Sequence, residues 1–226
     1  MLVVAQRDLG TPMIMFGIMF AILWVVGVPG RVFVIGVTGL AVFAAAFTLT
    51  ERYRIQRITS FLNPFADADG AGYQVVNSLY AISSGGWWGT GIGASGQKWG
   101  RLPEAHTDFI FAVVAEELGL FGSLFVLVLF LVLAYGGIRV ALAASTTFGR
   151  LAVVGVMAWI LIQAFINIGG VLSVLPITGV PLPLVSSGGS AMIITLIGLG
   201  VVLAVARQEP AARALLGHRR RRRRVA

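Results

Sequence analysis

The chain has 226 residues, 58% of them hydrophobic and only 12% charged, with a mean hydropathy of +0.91. Soluble domains carry about 25% charged residues, so the composition excludes an ordinary soluble domain and indicates a membrane protein; the absence of cysteine excludes disulfides, thiolate nucleophiles and cysteine metal sites. The net charge of +8 does not indicate a nucleic-acid surface, because eight of the 17 basic residues follow Ala206, as a block beside a membrane segment would.

Arg7 and Asp8 precede the first apolar run and no small-residue cleavage site follows, so no cleavable signal peptide is expected. Five stretches are apolar and long enough to cross about 30 Å of hydrocarbon: 12–28, 32–50, 118–138, 151–175 and 189–206. The expected fold is all-α: a polytopic membrane protein with about five transmembrane helices and one large extracytoplasmic loop. Residues 1–206 form the membrane domain and 207–226 a basic cytoplasmic tail.

With that tail inside the cell, orientation follows by counting back. The 176–188 loop lies outside, 139–150 inside with two arginines and no acid, 51–117 outside and 29–31 inside. Within 51–117, the opening Glu51-Arg-Tyr-Arg-Ile-Gln-Arg57 is a basic amphipathic stretch suited to lipid headgroups. Residues 63–72 have turn chemistry, and 73–83 predict a short helix on or dipping into the membrane. Gly85-Gly-Trp-Trp-Gly-Thr-Gly-Ile-Gly-Ala-Ser-Gly96 predicts a tight loop with interfacial tryptophans. Its glycines also resemble a phosphate cradle, but without strand–turn–helix context that signature is weak.

Leu102-Pro-Glu-Ala-His-Thr-Asp-Phe-Ile-Phe111 is the richest stretch, because no acid occurs between Glu117 and Glu209. Pro103 and Glu104 suit a helix start, and Thr107 or Asp108 suits a cap for a helix through 109–117. The same position also suits a general base, an ionised carboxylate at a helix start against a dry cavity. Composition leaves both open. Glu104 is positioned to share that face, and His106 to orient a carboxylate or bond a substrate. Glu116 and Glu117 point about 100° apart on a helix, so a structural role bonding loop backbone or Arg101 is expected of both. Lys98 and Arg101 either compensate local charge or clamp a phosphorylated substrate. Near the end, Ser187, Gly188 and Gly189 open the last helix, where free N–H groups either receive an anion or are capped. His218 lies in the basic tail and is assigned no chemistry.

These motifs, in this order, resemble the bacterial SEDS family (shape, elongation, division and sporulation). The likeness runs from Arg7-Asp-Leu-Gly-Thr11 through Gly72-Tyr-Gln74, 102–111 and Ala115-Glu-Glu-Leu-Gly119, then Phe165-Ile-Asn-Ile-Gly169, to 179–190. Gly85-Gly-Trp-Trp88 and Ala206-Arg-Gln-Glu-Pro210 favour the division branch. Thr146-Thr-Phe-Gly-Arg150 and Val180-Pro-Leu-Pro-Leu-Val185 are equally at home in the elongation branch.

The resemblance implies a glycosyltransferase that polymerises lipid II outside the cytoplasmic membrane, with Asp108 as its essential acid. It implies a divalent cation (Mg2+ or Mn2+), a class B penicillin-binding transpeptidase as partner, and other divisome or elongasome proteins. Lys98, Arg101, Glu104, His106, Ser187, Gly188 and Gly189 are the accompanying candidates for substrate binding. Family members have about ten spans, and this chain matches the last five, so an N-terminal half is expected to be missing. The alternatives are a lipid II flippase, which would need polar residues along a path that the last two spans scarcely offer, and an inactive scaffold.

Overall fold

The computed structural model describes residues 10–49, 61–68, 70, 72–99 and 102–209. The expectations placed on 1–9, on 51–60, on Arg101 and on the tail beyond Glu209 lie outside the described residues. All described elements are helical: α1 (Gly10–Val26), α2 (Gly30–Leu49), a 3-10 turn at Pro64–Asp67, α3 (Tyr73–Gly85), α4 (Ile110–Ala143), α5 (Thr147–Val171) and α6 (Gly189–Ala206). α4, α5 and α6 are each long and apolar enough to span a membrane, and α1 and Gly30–Val42 are shorter apolar helices. This is an all-α, multi-pass membrane protein.

Exposed apolar surfaces follow from that setting. Phe125, Val128, Leu131 and Val132 on α4, and Ile193, Ile197 and Leu203 on α6, are exposed. In water such a surface would be a liability; in hydrocarbon it is the compatible solvent face. α5 is the most buried of the three long helices and packs against α1, α4 and α6. Small residues permit the close approach. A β-carbon on Gly17 would stand 2.5 Å from Ile162, and one on Gly137 would stand 2.5 Å from Met157. α5 starts where Thr146 accepts a hydrogen bond from the Gly149 N–H, an N-cap. It stops at Val171, four residues before the expected end, because Ser173 adopts φ 55° and the Gly169 carbonyl accepts from Val174 and Leu175.

α4 is interrupted. Gly119 has φ 67° and ψ −162°, which no helix contains. The carbonyls of Glu116 and Glu117 accept from Thr90 and Gly91, while the N–H groups of Leu120 and Phe121 donate to Gly86 and Trp87. The Gly85–Gly91 loop therefore supplies the backbone partners that the break removes, as buried backbone requires. The span expected from 118 begins at this break, and 110–118 is a separate half-helix.

One core joins these pieces. Ala81 of α3, Leu102, Ala105 and Phe109 of the acidic loop, Phe111 and Ala112 of α4, Ala164 and Ile168 of α5, and Leu182 pack together. Phe109, Phe111 and Leu182 are each nearly solvent-free. Ser78 adds a polar tie, donating to the Val171 carbonyl at 3.1 Å. The loop that bears Asp108 thus rests on the largest cluster of buried apolar side chains among the described residues.

Candidate functional site

Residues 102–109 are a series of turns and not the start of a helix. The helix expected from Pro103 or Glu104 begins at Ile110, with Phe109 at the N-cap position and no side chain capping it. The capping role considered for Thr107 and Asp108 is therefore corrected. The reason is local: Glu104 takes φ 54°, and its carbonyl gathers the N–H groups of Thr107, Asp108 and Phe109. Thr107 Oγ1 turns back to Glu104 Oε2 at 2.9 Å, so its hydroxyl is used within the loop.

Three residues hold this loop from outside. Ser186 Oγ donates to the Thr107 carbonyl at 2.6 Å. Ser187 donates to the His106 carbonyl from both its N–H and its hydroxyl, each at 3.0 Å. Asn167 Nδ2, from α5, donates to the Asp108 carbonyl and to the Val180 carbonyl, each at 2.7 Å. One turn earlier on α5, Gln163 Nε2 donates to the Pro181 carbonyl at 2.9 Å. Two polar side chains at i and i+4 of a spanning helix thus anchor the Pro-rich segment, and one of them also grips the acidic loop.

Asp108 is half-buried. Burial, with a smaller contribution from the nearby Glu104 carboxylate, holds its carboxyl above the usual aspartate range. It borders a cavity of about 10 Å³ shared with Phe109, Ile166, Asn167, Thr178 and Gly179. Gly179, at φ 75°, lets the backbone pass close to this carboxylate: a β-carbon there would lie 3.6 Å from Asp108 Oδ2. Beyond Gly179 and Val180, a larger hollow of about 340 Å³ runs between α1 and α5, lined by Ile14, Met15, Ile18, Trp159 and Gln163. A half-buried base beside an apolar hollow can take a proton from a bound hydroxyl.

The other candidates divide. Glu104 and His106 are exposed on the Asp108 loop, and Ser187 touches it. Gly188 precedes α6 and Gly189 begins it, with no side-chain cap. The serines before that helix fasten the acidic loop instead. Lys98 is not open to a ligand here: its Nζ lies 2.6 Å from Glu117 Oε1, in a pair whose side chains are 17% and 14% exposed. That is the local charge compensation considered from the sequence. Glu116 is buried and accepts from Ser95 Oγ and from the Gly96 N–H. Both glutamates are therefore structural, as expected, with Ser95 and Lys98 as the partners. Arg101 lies outside the described residues. Sequence reasoning singled out neither Gln163 nor Asn167 individually. The available signal was an amide pair four residues apart in an apolar span.

A sequence model of the FtsW/RodA/SpoVE cell cycle protein family matches residues 1–211. Stage V sporulation protein E of Bacillus subtilis is 45% identical over 92% of this chain and 57% of its own length. The probable peptidoglycan glycosyltransferase FtsW of Mycobacterium tuberculosis is 44% identical over 95% of this chain and 41% of its own. The peptidoglycan glycosyltransferase MrdB of Escherichia coli K12 is 43% identical over 91% and 56%. The chain spans about half the length of the curated relatives it matches. The three relatives thus match this chain at nearly equal identity. A chain from a peptidoglycan synthase complex that coordinates polymerization and crosslinking superposes with a TM-score of 0.74 at 33% identity, over 91% of this chain and 57% of that one. An aspartate-to-alanine mutant of the rod shape determining protein RodA of Thermus thermophilus gives 0.60 at 30% identity, over 92% and 54%. The chain belongs to the FtsW/RodA/SpoVE family of cell cycle proteins.

Proposed function

We propose that this chain carries the catalytic half of a peptidoglycan glycosyltransferase. It joins lipid II units through β-1,4 bonds at the outer face of the cytoplasmic membrane and releases undecaprenyl pyrophosphate. The observation that carries this reading is the placement of Asp108. Its carboxylate is half-buried, raised in pKa by burial and by Glu104, and set on a loop fastened by Ser186, Ser187 and Asn167. A base is most effective when its pKa lies near the working pH, and the upward shift moves Asp108 in that direction.

In this mechanism Asp108 accepts the proton of the acceptor sugar's 4-hydroxyl as that oxygen attacks the donor's anomeric carbon. The C–O bond to pyrophosphate breaks on the opposite face, which converts an α-linked donor to a β-linked product. Glu104 holds Asp108 basic through its charge, and exposed His106 is placed to contact the sugars. The apolar hollow between α1 and α5 suits part of a polyprenyl chain. Among the described residues no three His, Asp or Glu converge as a metal site. A divalent ion (Mg2+ or Mn2+) held by one or two protein oxygens and the donor's pyrophosphate needs no such cluster; when bound it would offset charge on the departing pyrophosphate, and no step is routed through it. The similarity to a chain of a synthase complex that coordinates polymerization and crosslinking supports a class B penicillin-binding transpeptidase as partner, within a divisome or elongasome.

The test is polymerisation of labelled lipid II by the complete protein, with Asp108→Asn alongside. A glycan ladder that vanishes in the variant is expected. A ladder that persists in Asp108→Asn removes the base from that residue. Lipid II movement across vesicles without any ladder would favour a flippase, and neither activity from a folded protein a scaffold.

A further inference from the structure

Asn167 is 5% exposed, and its amide orientation is fixed by its partners. Two carbonyl oxygens at 2.7 Å demand the NH2 group on that side. Its Oδ1 is then left buried with no hydrogen-bond partner among the described residues. A buried acceptor without a partner costs about 1–3 kcal/mol, and native proteins leave few such groups. Asn167 and Asp108 both line the same cavity of about 10 Å³. That space is close to the minimum for one water and far too small for a sugar.

We infer that Asn167 is a positioning residue for Asp108: its Nδ2 locks the Asp108 backbone to the Val180 segment, and its Oδ1 accepts from a single water in the cavity it shares with the Asp108 carboxylate. The acid is thereby held from two sides, through its main chain and through the solvent at its head. Asn167 is distinct from Gln163, which grips the same Pro-rich segment at Pro181 but makes no bond to the acidic loop. Among the described residues, the ionisable groups around Asp108 are few. Glu104 and His106 share its loop, while α1, α5 in its final three turns, and residues 177–182 present no ionisable side chain. On α4, Glu116 and Glu117 are occupied by Ser95, Gly96 and Lys98. A change at Asn167 is therefore legible in the titration of Asp108.

The inference rests on the glycosyltransferase reading only for what Asp108 does, and its test needs no turnover. The full chain in nanodiscs is treated with a carbodiimide and an amine across a pH series, and conversion of Asp108 to its amide is followed by peptide mass spectrometry. Reaction requires the protonated carboxyl, so the midpoint reports its titration. Asn167→Ala opens the site to water, and its midpoint falls by about half a unit or more. Asn167→Asp places a second carboxylate beside the first, and the midpoint rises. Gln163→Ala leaves it in place. An unmoved midpoint in a folded Asn167 variant, or an equal shift in Gln163→Ala, overturns the inference. Should neither Asn167 variant fold, a wild-type map that resolves ordered water decides: water bonded to Asn167 Oδ1 is expected, and its absence there overturns the proposal. Failure of the wild-type protein to polymerise lipid II would bear on the enzyme reading alone.

Discussion

Gly89 and Gly119 meet backbone against backbone: a β-carbon on Gly119 would stand 2.4 Å from the Gly89 nitrogen, and both residues have positive φ, at 79° and 67°. This contact is what allows the Gly-Trp loop to enter the break in α4. The loop's donors then reach the Glu116 and Glu117 carbonyls. The break in turn places the two glutamates over the loop that they bind.

Gly119→Ala is expected to be among the most damaging single changes. It adds a clash with fixed backbone to a conformation that L-residues rarely adopt. Overpacking and backbone strain each cost about 1–3 kcal/mol, and here both apply. Thermal unfolding of the purified protein should show a large loss of stability. A neighbouring change on the exposed face of α4, Phe125→Leu, should be nearly silent.

Glu116→Ala is expected to loosen the loop without unfolding the bundle. It strands the buried Ser95 hydroxyl, at about 1–3 kcal/mol, while the exposed Gly96 N–H turns to water. Limited proteolysis should show faster cleavage within 90–99, while the long helices stay protected. Unchanged cleavage there would mean that the loop is held by its backbone bonds to α4 alone.

Much of this was legible in the sequence. Apolar run length gave the last span to the residue, because nothing in 189–206 competes with burial in lipid. The short helix after the turn region also emerged where expected, at Tyr73–Gly85. The acidic loop stands out as a candidate site because acids are so scarce. Its local conformation was not readable: a left-handed Glu104 is a tertiary outcome, enforced by the packing of Leu102, Ala105 and Phe109. The division of labour among the basic residues was equally hidden. Lys98 finds its acid 19 positions away only because α4 breaks at Gly119.

Neutralising that pair tests whether Lys98 has a second task. Lys98→Met alone leaves a mostly buried Glu117 carboxylate without its cation, and removing one partner of a buried pair is typically costly, at about 3–5 kcal/mol when burial is complete. The exposure of 14–17% should reduce that figure. The double variant Lys98→Met with Glu117→Gln should recover most of the lost stability. With a purely structural pair, the double variant should also keep the KM for lipid II. A folded double variant with a several-fold higher KM would return Lys98 to the substrate's pyrophosphate.

Asp108 makes opposite predictions for activity and stability. Its folded-state pKa is raised above that of the unfolded chain, first by burial and then by Glu104. The folded protein therefore favours the protonated acid. Below the ordinary aspartate range both states are protonated and the group is neutral toward stability. As pH rises from that range through the raised value, the unfolded state ionises more readily and folding loses stability. Asp108→Asn, which cannot ionise, should melt at an equal or higher temperature than wild type above that window and show no advantage below it. Catalysis runs the other way, because the base must be ionised: kcat should fall as pH drops through the raised pKa. Glu104→Gln removes the second cause of the shift, so its acid limb should move to lower pH while the maximum rate changes less than in Asp108→Asn. Paired melting curves and pH–rate profiles for the three proteins decide the matter. An Asp108→Asn variant less stable than wild type at neutral pH would mean that the carboxylate is stabilised in its pocket, contrary to the burial that surrounds it.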